Sequence, residues 1–409
     1  MDLQNGNYYW PTTVEDPPSF PRLEENIKCD VLIIGGGSSG AQTAYMLADS
    51  GLDVVVVEKN SCGQGSTTTN TALIQYAGDK TFKELINSFG ENIAIRHLKN
   101  CEKVINQMES IAGKLTRDIS FKRRDSLYCA SDEAGVREIS EEYALYKKYG
   151  FDILHLTEDQ IAARYPFKRK SGLYFLNDAE MNPLAFTYGL LEEAVSKGVR
   201  VFEHTMIKGK KPTSKEVTVF TDKEYKIIAK QVIVAAGYEG LEFKHEKNTV
   251  ISSTYSIVTC PVQDLSPWYK QTLLWETARP YIYARTTPDN RIIIGGLDES
   301  YTKAEERDKK LLNKSEQLLT ECQKLFPQFN IQTEYKMASF YGGTHDGMPI
   351  IGCYEDQPNI YYLYAYGDNG TVYNMVFANI ISSFITKGSH PDLELYLQSR
   401  PTQQKPSAL

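Results

Sequence analysis

The sequence predicts an α/β protein with a Rossmann-like first domain of mostly parallel sheet and a second α+β domain of antiparallel sheet. Two observations indicate the first domain. A strand, glycine turn, helix and strand follow one another near the start of the chain, and another glycine turn precedes the last helix. Strand-like runs between residues 255 and 295, followed by an amphipathic pattern over 305–326, indicate the second domain. At 409 residues the chain is long enough for two cores.

The first element is a β-α-β unit. Apolar runs predict strands over residues 31–34 and 54–57, and the segment between them predicts a helix over 39–50. The turn before this helix has the spacing G-x-G-x-x-G, carried by Gly35, Gly37, Ser38, Ser39 and Gly40. Because glycine lets the backbone approach a ligand and the N–H groups of a helix start face the turn, the motif predicts a pyrophosphate site.

An acidic residue completes this motif. Glu58 ends the second strand 23 residues after Gly35 (58 − 35), where a carboxylate accepts the hydroxyl groups of an adenosine ribose and repels a 2′-phosphate. The alternative interpretation is a glycine-rich turn beside a surface glutamate. The complete order of strand, turn, helix, strand and acid favours a dinucleotide site.

Three further segments favour FAD over NAD as the dinucleotide. A hydroxyl-rich loop, for which a solvated connection is the alternative interpretation, can bond a phosphate and lead toward an isoalloxazine ring; its candidates are Lys59, Gly65, Ser66, Thr67, Asn70, Thr71 and Ala72. A later strand ends in Ala236 and Gly237. A second helix start suits the electron-rich pyrimidine end of a flavin, and its candidates are Gly367, Asp368, Asn369, Gly370 and Thr371.

These four motifs, in this order and over nearly the whole chain, resemble the D-amino-acid oxidase and glycine oxidase (DAO) family of FAD-dependent oxidoreductases. Residues 344–352 also resemble its T-x-D-G-x-P-x-I-G pattern, and residues 291–296 resemble its strand near the substrate pocket. The resemblance implies a discontinuous, glutathione-reductase-like FAD domain and a substrate domain over the flavin. It implies oxidation of a C–N bond of a small amine or amino acid by hydride transfer to flavin N5. It also places Ile207 near the adenine and Gly343 beside the cofactor.

The residues expected around the substrate depart from this family. Where many relatives carry an arginine that clamps the substrate carboxylate, this chain has Tyr341, which supplies no charge. Either Arg285 or Arg279 supplies the charge instead, or the substrate lacks a carboxylate. His345 is a candidate for tuning the flavin or taking a proton, with a structural role as the alternative. Ser339 stands where sarcosine-oxidase relatives tether the flavin through cysteine, so the resemblance implies non-covalent FAD.

The motifs divide the chain into interleaved units. Residues 1–28 are expected to form an N-terminal arm and residues 396–409 a tail. The FAD-binding domain is predicted over residues 29–88, 165–245 and 335–395, and the substrate domain over residues 89–164 and 246–334.

Composition argues against several classes of function. The net charge is −7, with lysine and arginine scattered among acids, which argues against a nucleic-acid partner. The seven cysteines are far apart and never form Cys-x-x-Cys, so neither a disulfide framework nor a metal site is predicted, and a reducing cytoplasm is expected. No apolar run approaches the roughly 20 residues that cross a bilayer, and the first residues lack a signal-peptide pattern.

Two other functions are open alternatives. One is a pyridine-nucleotide dehydrogenase, and the other is a protein that binds FAD but turns over no amine. For an enzyme, either oxygen or an electron carrier is the final acceptor, because that choice depends on access to the flavin face.

Overall fold

The computed structural model describes residues 1–78 and 80–402. Its strands are β1 (Gln4–Gly6), β2 (Ile27–Ile34), β3 (Val54–Val57), β4 (Leu73–Ile74), β5 (Lys122–Cys129), β6 (Ile153–Thr157), β7 (Ser171–Glu180), β8 (Arg200–Phe202), β9 (Ile207–Pro212), β10 (Val217–Thr221), β11 (Lys226–Val234), β12 (Thr249–Thr259), β13 (Leu273–Glu276), β14 (Ile282–Thr286), β15 (Ile292–Glu299), β16 (Thr333–Thr344), β17 (Ile350–Cys353) and β18 (Ile360–Tyr364). Its helices are α1 (Ser38–Leu47), α2 (Phe82–Phe89), α3 (Glu91–Ala112), α4 (Glu133–Lys148), α5 (Glu158–Ala162), α6 (Pro183–Ser196), α7 (Gly240–Phe243), α8 (Ala304–Lys309), α9 (Leu311–Leu325), α10 (Gly370–Lys387) and α11 (Leu393–Tyr396).

The first sheet has eight strands and β2 near its centre. Its order is β17-β18-β11-β2-β3-β8, with β10 paired to β11 and β9 paired to β10. Strand β2 is parallel to β3 and β11, and β11 is parallel to β18. Both faces of β2 and β3 are covered, as their continuous apolar sequences predict. The carboxyl ends of these parallel strands therefore meet at one edge of the sheet.

Helices cover one face of this sheet. Helix α1 packs against α6 and α10, and α10 packs against α3. Val31 and Ile33 of β2 share one core with Ala41 and Ala44 of α1, whose small side chains let the helix lie close to the strands. The alternate side chains of β2 and β3 share a second core with β10 and β11. This packing holds the start of α1 at the carboxyl edge of the sheet.

The second sheet has ten strands and is largely antiparallel. Its order is β1-β16-β12-β15-β14-β13-β5-β7-β4, with β6 paired to β7. Helix α9 covers one face, where Leu318 and Cys322 share a core with Ile257 and Ile294. The side chains on the opposite face of β12, β14 and β16 point toward the first sheet.

Several predicted elements differ in the structure. The helical pattern over residues 81–115 forms α2 and α3, because Gly90 between them has a φ of +85°. The pattern over residues 305–326 likewise forms α8 and α9. Strand β8 ends at Phe202, shortly before His204, which has a φ of +49°. Strand β16 continues through Tyr341 to Thr344, because β12 provides main-chain hydrogen bonds that the local sequence does not indicate.

Strand pairing gives a different outline from the predicted domains. Strands β7 and β16, which were assigned wholly or partly to the FAD-binding domain, pair within the ten-stranded sheet, and β1 of the arm pairs with β16. We therefore propose that the two domains follow the two sheets. The predicted tail begins at the end of α11, and Arg400 within it is buried against Asp346. Residues 403–409 of that tail lie outside the described residues.

Candidate active site

A cleft of about 430 Å³ lies where the carboxyl edge of the first sheet meets one face of the second. At one end, its walls are the glycine turn after β2, the loop after β3 and the start of α1. At the other end, its walls are side chains of β12 to β16 and the start of α10. The cleft therefore joins two chemically different ends, which we call the nucleotide end and the substrate end.

Two glycines at the nucleotide end are required by close backbone contacts. Gly35 has a φ of +115°, and a Cβ atom there would lie 2.4 Å from the carbonyl oxygen of Ala235. A Cβ atom on Gly40 would lie 1.8 Å from the carbonyl oxygen of Gly35. Because both contacts are with backbone, a side chain at either position would push the turn away from its neighbours. The two glycines keep the start of α1 close to β2, as a pyrophosphate site requires.

The start of α1 fits an anionic ligand. Its N-cap residue, Gly37, provides no side-chain cap, and the N–H group of Ser38 donates to the Thr67 hydroxyl at 3.1 Å. The hydroxyl of Ser39 is buried and has no hydrogen-bond partner in the described structure. An unsatisfied donor beside the positive end of a helix dipole suits a phosphate group of FAD.

Glu58 lies on the cleft wall at the end of β3. Its carboxylate accepts hydrogen bonds from the N–H groups of Gly36 at 2.8 Å and Asn60 at 2.9 Å, which fix its orientation. A carboxylate has about four acceptor positions, so Glu58 can also accept ribose hydroxyls. Lys59 pairs with Glu239 at 2.6 Å and so does not neutralise Glu58. This wall fits an adenosine ribose without a 2′-phosphate.

The start of α10 forms the wall between the two ends. The side chain of its N-cap residue, Asn369, donates to the Ala77 carbonyl at 2.8 Å. Asn70 donates to the Thr371 hydroxyl at 2.8 Å and accepts from the N–H group of Ala72 at 2.7 Å. Helix α10 has no side-chain cap, which leaves its first N–H groups for a ligand such as the flavin pyrimidine.

Four aromatic rings, which we call the aromatic wall, line the substrate end: Trp275, Tyr281, Tyr283 and Tyr341. Trp275 and Tyr283 are cross-strand partners of β13 and β14, and Tyr283 lies opposite Gly295 of β15. A Cβ atom on Gly295 would lie 2.5 Å from the Tyr283 hydroxyl, so glycine makes room for this ring. Strand pairing thus places side chains from distant segments on one surface.

Two carboxylates, Asp298 and Asp368, also line the substrate end. The Tyr341 hydroxyl donates to Asp368 at 2.5 Å. Burial raises the pKa of Asp298 to about 6; the negative charge of Asp368 raises it further, whereas a hydrogen bond with Thr254 lowers it. The Oδ1 atom of Asp298 is buried without a hydrogen-bond partner in the described structure. Asp298 can therefore both bind a cationic donor and exchange a proton near neutral pH.

An irregularity in β15 accompanies the orientation of Asp298. Gly296 and Leu297 have φ angles of +121° and +56°, and the register with β12 shifts at this point. The next residue, Glu299, points to the opposite face of the sheet and pairs with Lys314 of α9 at 2.7 Å. The strand thus presents one acid to the cleft and the other to the covering helix.

Three of the predicted cofactor residues do not line the cleft. Gly40 lies under the glycine turn, Ile207 begins β9 and packs beside the apolar core that β10 and β11 share, and Gly343 pairs with Val250 of β12. The expected contact of Ile207 with adenine stays a prediction. The predicted cofactor residues that do line the cleft are Gly35, Gly37, Ser38, Ser39, Glu58, Lys59, Gly65, Ser66, Thr67, Asn70, Thr71, Ala72, Ala236, Gly237, Gly367, Asp368, Asn369, Gly370 and Thr371.

Arg285, a predicted substrate residue, does not reach the cleft. Its side chain is only 1% exposed, and its Nη1 atom donates to the carbonyl oxygens of Ala72 at 2.6 Å and Met181 at 3.0 Å. Glu180 lies 3.7 Å from its Nε atom, and the Trp10 ring covers its guanidinium. Because these groups surround it, Arg285 positions the loop at Ala72 rather than a substrate.

The other two predicted basic residues also lie outside the cleft. His345 is exposed in the turn after β16, where its backbone N–H group donates to the Asn248 carbonyl at 3.2 Å. Arg279 is exposed, donates to the Glu276 carbonyl at 3.1 Å and lies beside the Tyr281 ring. Of the three predicted catalytic residues, Tyr341 alone lines the cleft, whereas His345 and Arg285 do not.

The described residues that line the cleft include no histidine, cysteine or arginine. Within residues 1–78 and 80–402, no group of three or more acidic, histidine or cysteine side chains is arranged to hold a metal ion. In the same part of the chain, every helix is too short or too polar to cross a membrane.

Sequence reasoning missed most of the substrate end. Asp298, Trp275 and Tyr283 lie in strands that show only an apolar pattern, Tyr281 directly precedes β14, and Gln75 lies in a short loop. A charged residue at the end of an apolar strand, as Asp298 is in β15, is the signal that would have identified it. The rings carried no local signal, because buried aromatic residues are common in any core.

Comparison with known proteins agrees with this geometry. The chain matches the sequence profile "DAO: FAD dependent oxidoreductase" over residues 30–383. It is 34% identical over 208 residues to the "Putative Rieske 2Fe-2S iron-sulfur protein YhfW" of Bacillus subtilis, a match that covers 50% of this chain and 40% of that protein. The chain thus spans less than half the length of this relative. It is 25% identical over 403 residues to gamma-glutamylputrescine oxidoreductase of Escherichia coli, covering 94% of this chain and 90% of that protein.

Solved structures show the same fold. Glycine oxidase from Geobacillus kaustophilus superimposes with a TM-score of 0.77 at 16% identity, over 91% of this chain and 99% of that chain. L-proline dehydrogenase from P. horikoshii gives a TM-score of 0.75 at 19% identity, over 92% of this chain and 98% of that chain. The solved structures confirm the predicted fold class, and the family profile confirms FAD as the predicted cofactor. Because the profile covers most of the chain, the protein belongs to the DAO family of FAD-dependent oxidoreductases.

Proposed function

We propose that this chain oxidises a C–N bond of a small amine or amino acid, with FAD as the hydride acceptor. The observation that carries this proposal is the continuity of the cleft. Its nucleotide end holds the glycine turn and Glu58, and its substrate end holds the buried carboxylate of Asp298 against aromatic rings. A cleft that combines apolar walls with a few convergent polar groups is typical of a small-molecule site. The start of α10 lies between the ends, where the flavin ring and the substrate would meet.

The roles of the chain's residues follow from their positions. When bound, FAD accepts the hydride that leaves the carbon next to nitrogen. That C–H bond breaks with its electron pair, and the nitrogen lone pair forms the new C=N bond. An ammonium must release a proton before its lone pair is available. Asp298, with a pKa of about 6, is the group at this end able to hold that proton. The aromatic wall excludes water and orients the substrate.

The test is anaerobic reduction of the FAD-loaded protein. Glycine, sarcosine, D- and L-amino acids, proline, diamines and γ-glutamylputrescine are added one at a time, and the flavin absorption near about 450 nm is followed. Loss of this band with any of these compounds supports C–N oxidation. A flavin that dithionite bleaches but that no amine bleaches would contradict it.

One observation favours a second candidate, an FAD-binding protein without amine turnover. Tyr341 provides no charge where many family members carry arginine, so an ordinary α-amino acid has no described anchor in this cleft. The same anaerobic experiment separates the two, because a protein of this second kind would keep its oxidised spectrum with every amine tested.

The electron acceptor and location belong to the same proposal. The final electron acceptor is either oxygen or an electron carrier. The name of the Bacillus subtilis relative refers to an iron–sulfur cluster, a type of one-electron carrier. We propose a carrier as the first acceptor to test, by comparing oxygen consumption with reduction of an artificial dye.

All seven cysteines are thiols, which supports a cytoplasmic location.

A further inference from the structure

The substrate end of the cleft is negatively charged. Its carboxylates are Asp298 and Asp368, whereas Lys59 is the cationic side chain among the described lining residues. Lys59 lies at the nucleotide end and pairs with Glu239 at 2.6 Å, and the amino group of Met1 bonds the same glutamate at 3.3 Å. The described lining residues at the substrate end thus include no cationic side chain.

Lys314 acts on Asp298 from outside the cleft. It lowers the pKa of Asp298 less than the hydrogen bond with Thr254 does. Its Nζ atom pairs with Glu299 at 2.7 Å and donates to the Leu297 carbonyl at 3.0 Å, on the side of the sheet that α9 covers. The charge of Lys314 is thus largely committed to another carboxylate.

Three buried side-chain atoms at the substrate end have no hydrogen-bond partner in the described structure. Oδ1 of Asp298 is an acceptor, whereas Nε1 of Trp275 and Nε2 of Gln75 are donors. A buried, unsatisfied polar atom is unfavourable by roughly 1–3 kcal/mol, and more when it carries charge. A ligand that donates hydrogen bonds and carries positive charge would satisfy the carboxylate oxygen, and an ammonium has three donors.

The surrounding rings suit a cation as well. Tyr281 and Tyr283 lie with their ring centroids 5.8 Å apart at an angle of 49°, and Trp275 lies in the same aromatic wall. The negative faces of aromatic rings attract ammonium groups, and the attraction is stronger where water is excluded. Charge, unsatisfied oxygen and rings all favour the same kind of ligand.

We propose that the substrate is an aliphatic amine that carries a positive charge and no carboxylate, and that its ammonium binds Asp298 beside Asp368. This inference rests on the proposed function. An α-amino acid bound in the same way would bring its own carboxylate toward these two acids. No described arginine of the cleft would pair with it, and like charges repel strongly where water is excluded. The site therefore selects against a carboxylate as well as for an ammonium.

The test uses compounds that differ by one carboxylate. The first pair is 1,4-diaminobutane with ornithine, and the second is 1,5-diaminopentane with lysine. Binding to the FAD-loaded protein is measured by anaerobic titration calorimetry, and flavin reduction is followed separately by absorption. We expect each diamine to bind at least about tenfold more tightly than its amino acid, a difference of about 1.4 kcal/mol.

Three variants identify the group responsible. Asp298→Asn keeps the size of the side chain but removes the charge, and we expect about a tenfold loss of diamine affinity. Asp298→Glu restores the charge and is expected to recover part of that affinity. Glu305→Gln removes an exposed charge on α8 and is expected to change nothing. FAD content and the melting temperature of each variant show whether it is folded.

The outcomes separate this inference from the proposed function. Tighter binding of ornithine or lysine than of the diamines overturns the inference, even if those amino acids reduce the flavin and so support C–N oxidation. Equal diamine affinity of the unaltered protein and Asp298→Asn also overturns it. Selective diamine binding without any flavin reduction supports the ammonium site and contradicts the proposed oxidation.

Discussion

The Tyr341 hydroxyl donates a hydrogen bond of 2.5 Å to Asp368, the residue before the N-cap of α10. This bond joins β16 of the ten-stranded sheet to the helix that covers the eight-stranded sheet. Hydrogen bonds to charged groups contribute roughly 1.5–3 kcal/mol, so this contact holds Asp368 in place at the cleft. It links the two halves of the molecule at the point where substrate and flavin would meet.

Tyr341→Phe removes this hydrogen bond and keeps the ring. We expect KM for an active amine to rise about tenfold, with a smaller change in kcat, because Asp368 loses the group that positions it. Steady-state kinetics with dye as acceptor measures both constants. Tyr335→Phe is the matched control, since Tyr335 lies on the same strand and its hydroxyl is near Thr12, outside the cleft. An unchanged KM in Tyr341→Phe would contradict this role.

Gly40→Ala is expected to abolish FAD binding. The added Cβ atom would lie 1.8 Å from the Gly35 carbonyl oxygen, so α1 would have to move away from the glycine turn. The measurement is the ratio of flavin to protein absorption after purification. Gly113→Ala, where the nearest neighbouring atom is 3.8 Å away, is expected to retain FAD fully. Normal FAD content in Gly40→Ala would show that the turn tolerates a wider spacing.

Arg285→Met is expected to lower stability without changing substrate preference. It removes hydrogen bonds to Ala72 and Met181 and leaves Glu180 with one buried partner fewer. Removing one partner of a buried ion pair costs about 3–5 kcal/mol. Thermal unfolding and the ratio of kcat/KM for two amines measure the two effects, with exposed Arg137→Met as the control. A selective change in that ratio would assign Arg285 to the substrate instead.

Diamine binding is expected to weaken as pH falls. Burial raises the pKa of Asp298 to about 6; the hydrogen bond with Thr254 lowers it, Asp368 raises it and Lys314 lowers it slightly. Alkylammonium groups stay protonated below about pH 9, so the change in charge between about pH 8 and pH 5 belongs to the carboxylate. Protonation of Asp298 should weaken binding about tenfold at pH 5. Calorimetry over this range measures it, and Asp298→Asn should show little pH dependence.

Stability is also expected to depend on pH through Asp178. Burial raises the pKa of this carboxyl to about 7, and the Ser126 hydroxyl donates to it at 2.6 Å. Between about pH 4 and pH 7 the folded chain therefore holds a proton that the unfolded chain releases, and the free energy of unfolding falls as pH rises through this window. Asp178→Asn should flatten this dependence and stabilise the protein at about pH 8 by on the order of 2 kcal/mol. Denaturant unfolding at several pH values measures it, and an unchanged slope would contradict the assignment.

The nucleotide end was predictable because its residues are neighbours in the sequence. Gly35, Ser39 and Glu58 belong to one β-α-β unit, in which local backbone geometry decides their positions. The order of later glycine turns then distinguished FAD from NAD and identified the family. Boundaries such as the break between α2 and α3 were harder to predict from the sequence. The apolar periodicity continues across the break, but the unusual backbone conformation of Gly90 ends α2 there.

The substrate end was decided by tertiary structure. Trp275, Tyr283, Asp298 and Tyr341 come from four strands, and only the pairing of β12 to β16 places them on one face. The same pairing directs Arg285 into a buried position beside Ala72, although its sequence position suggested the cleft. By itself, the sequence determined the fold class, the cofactor and the family, because those depend on local motifs and their order. The charge of the substrate end depends on which side chains strand register brings together, and only the folded sheet sets that register.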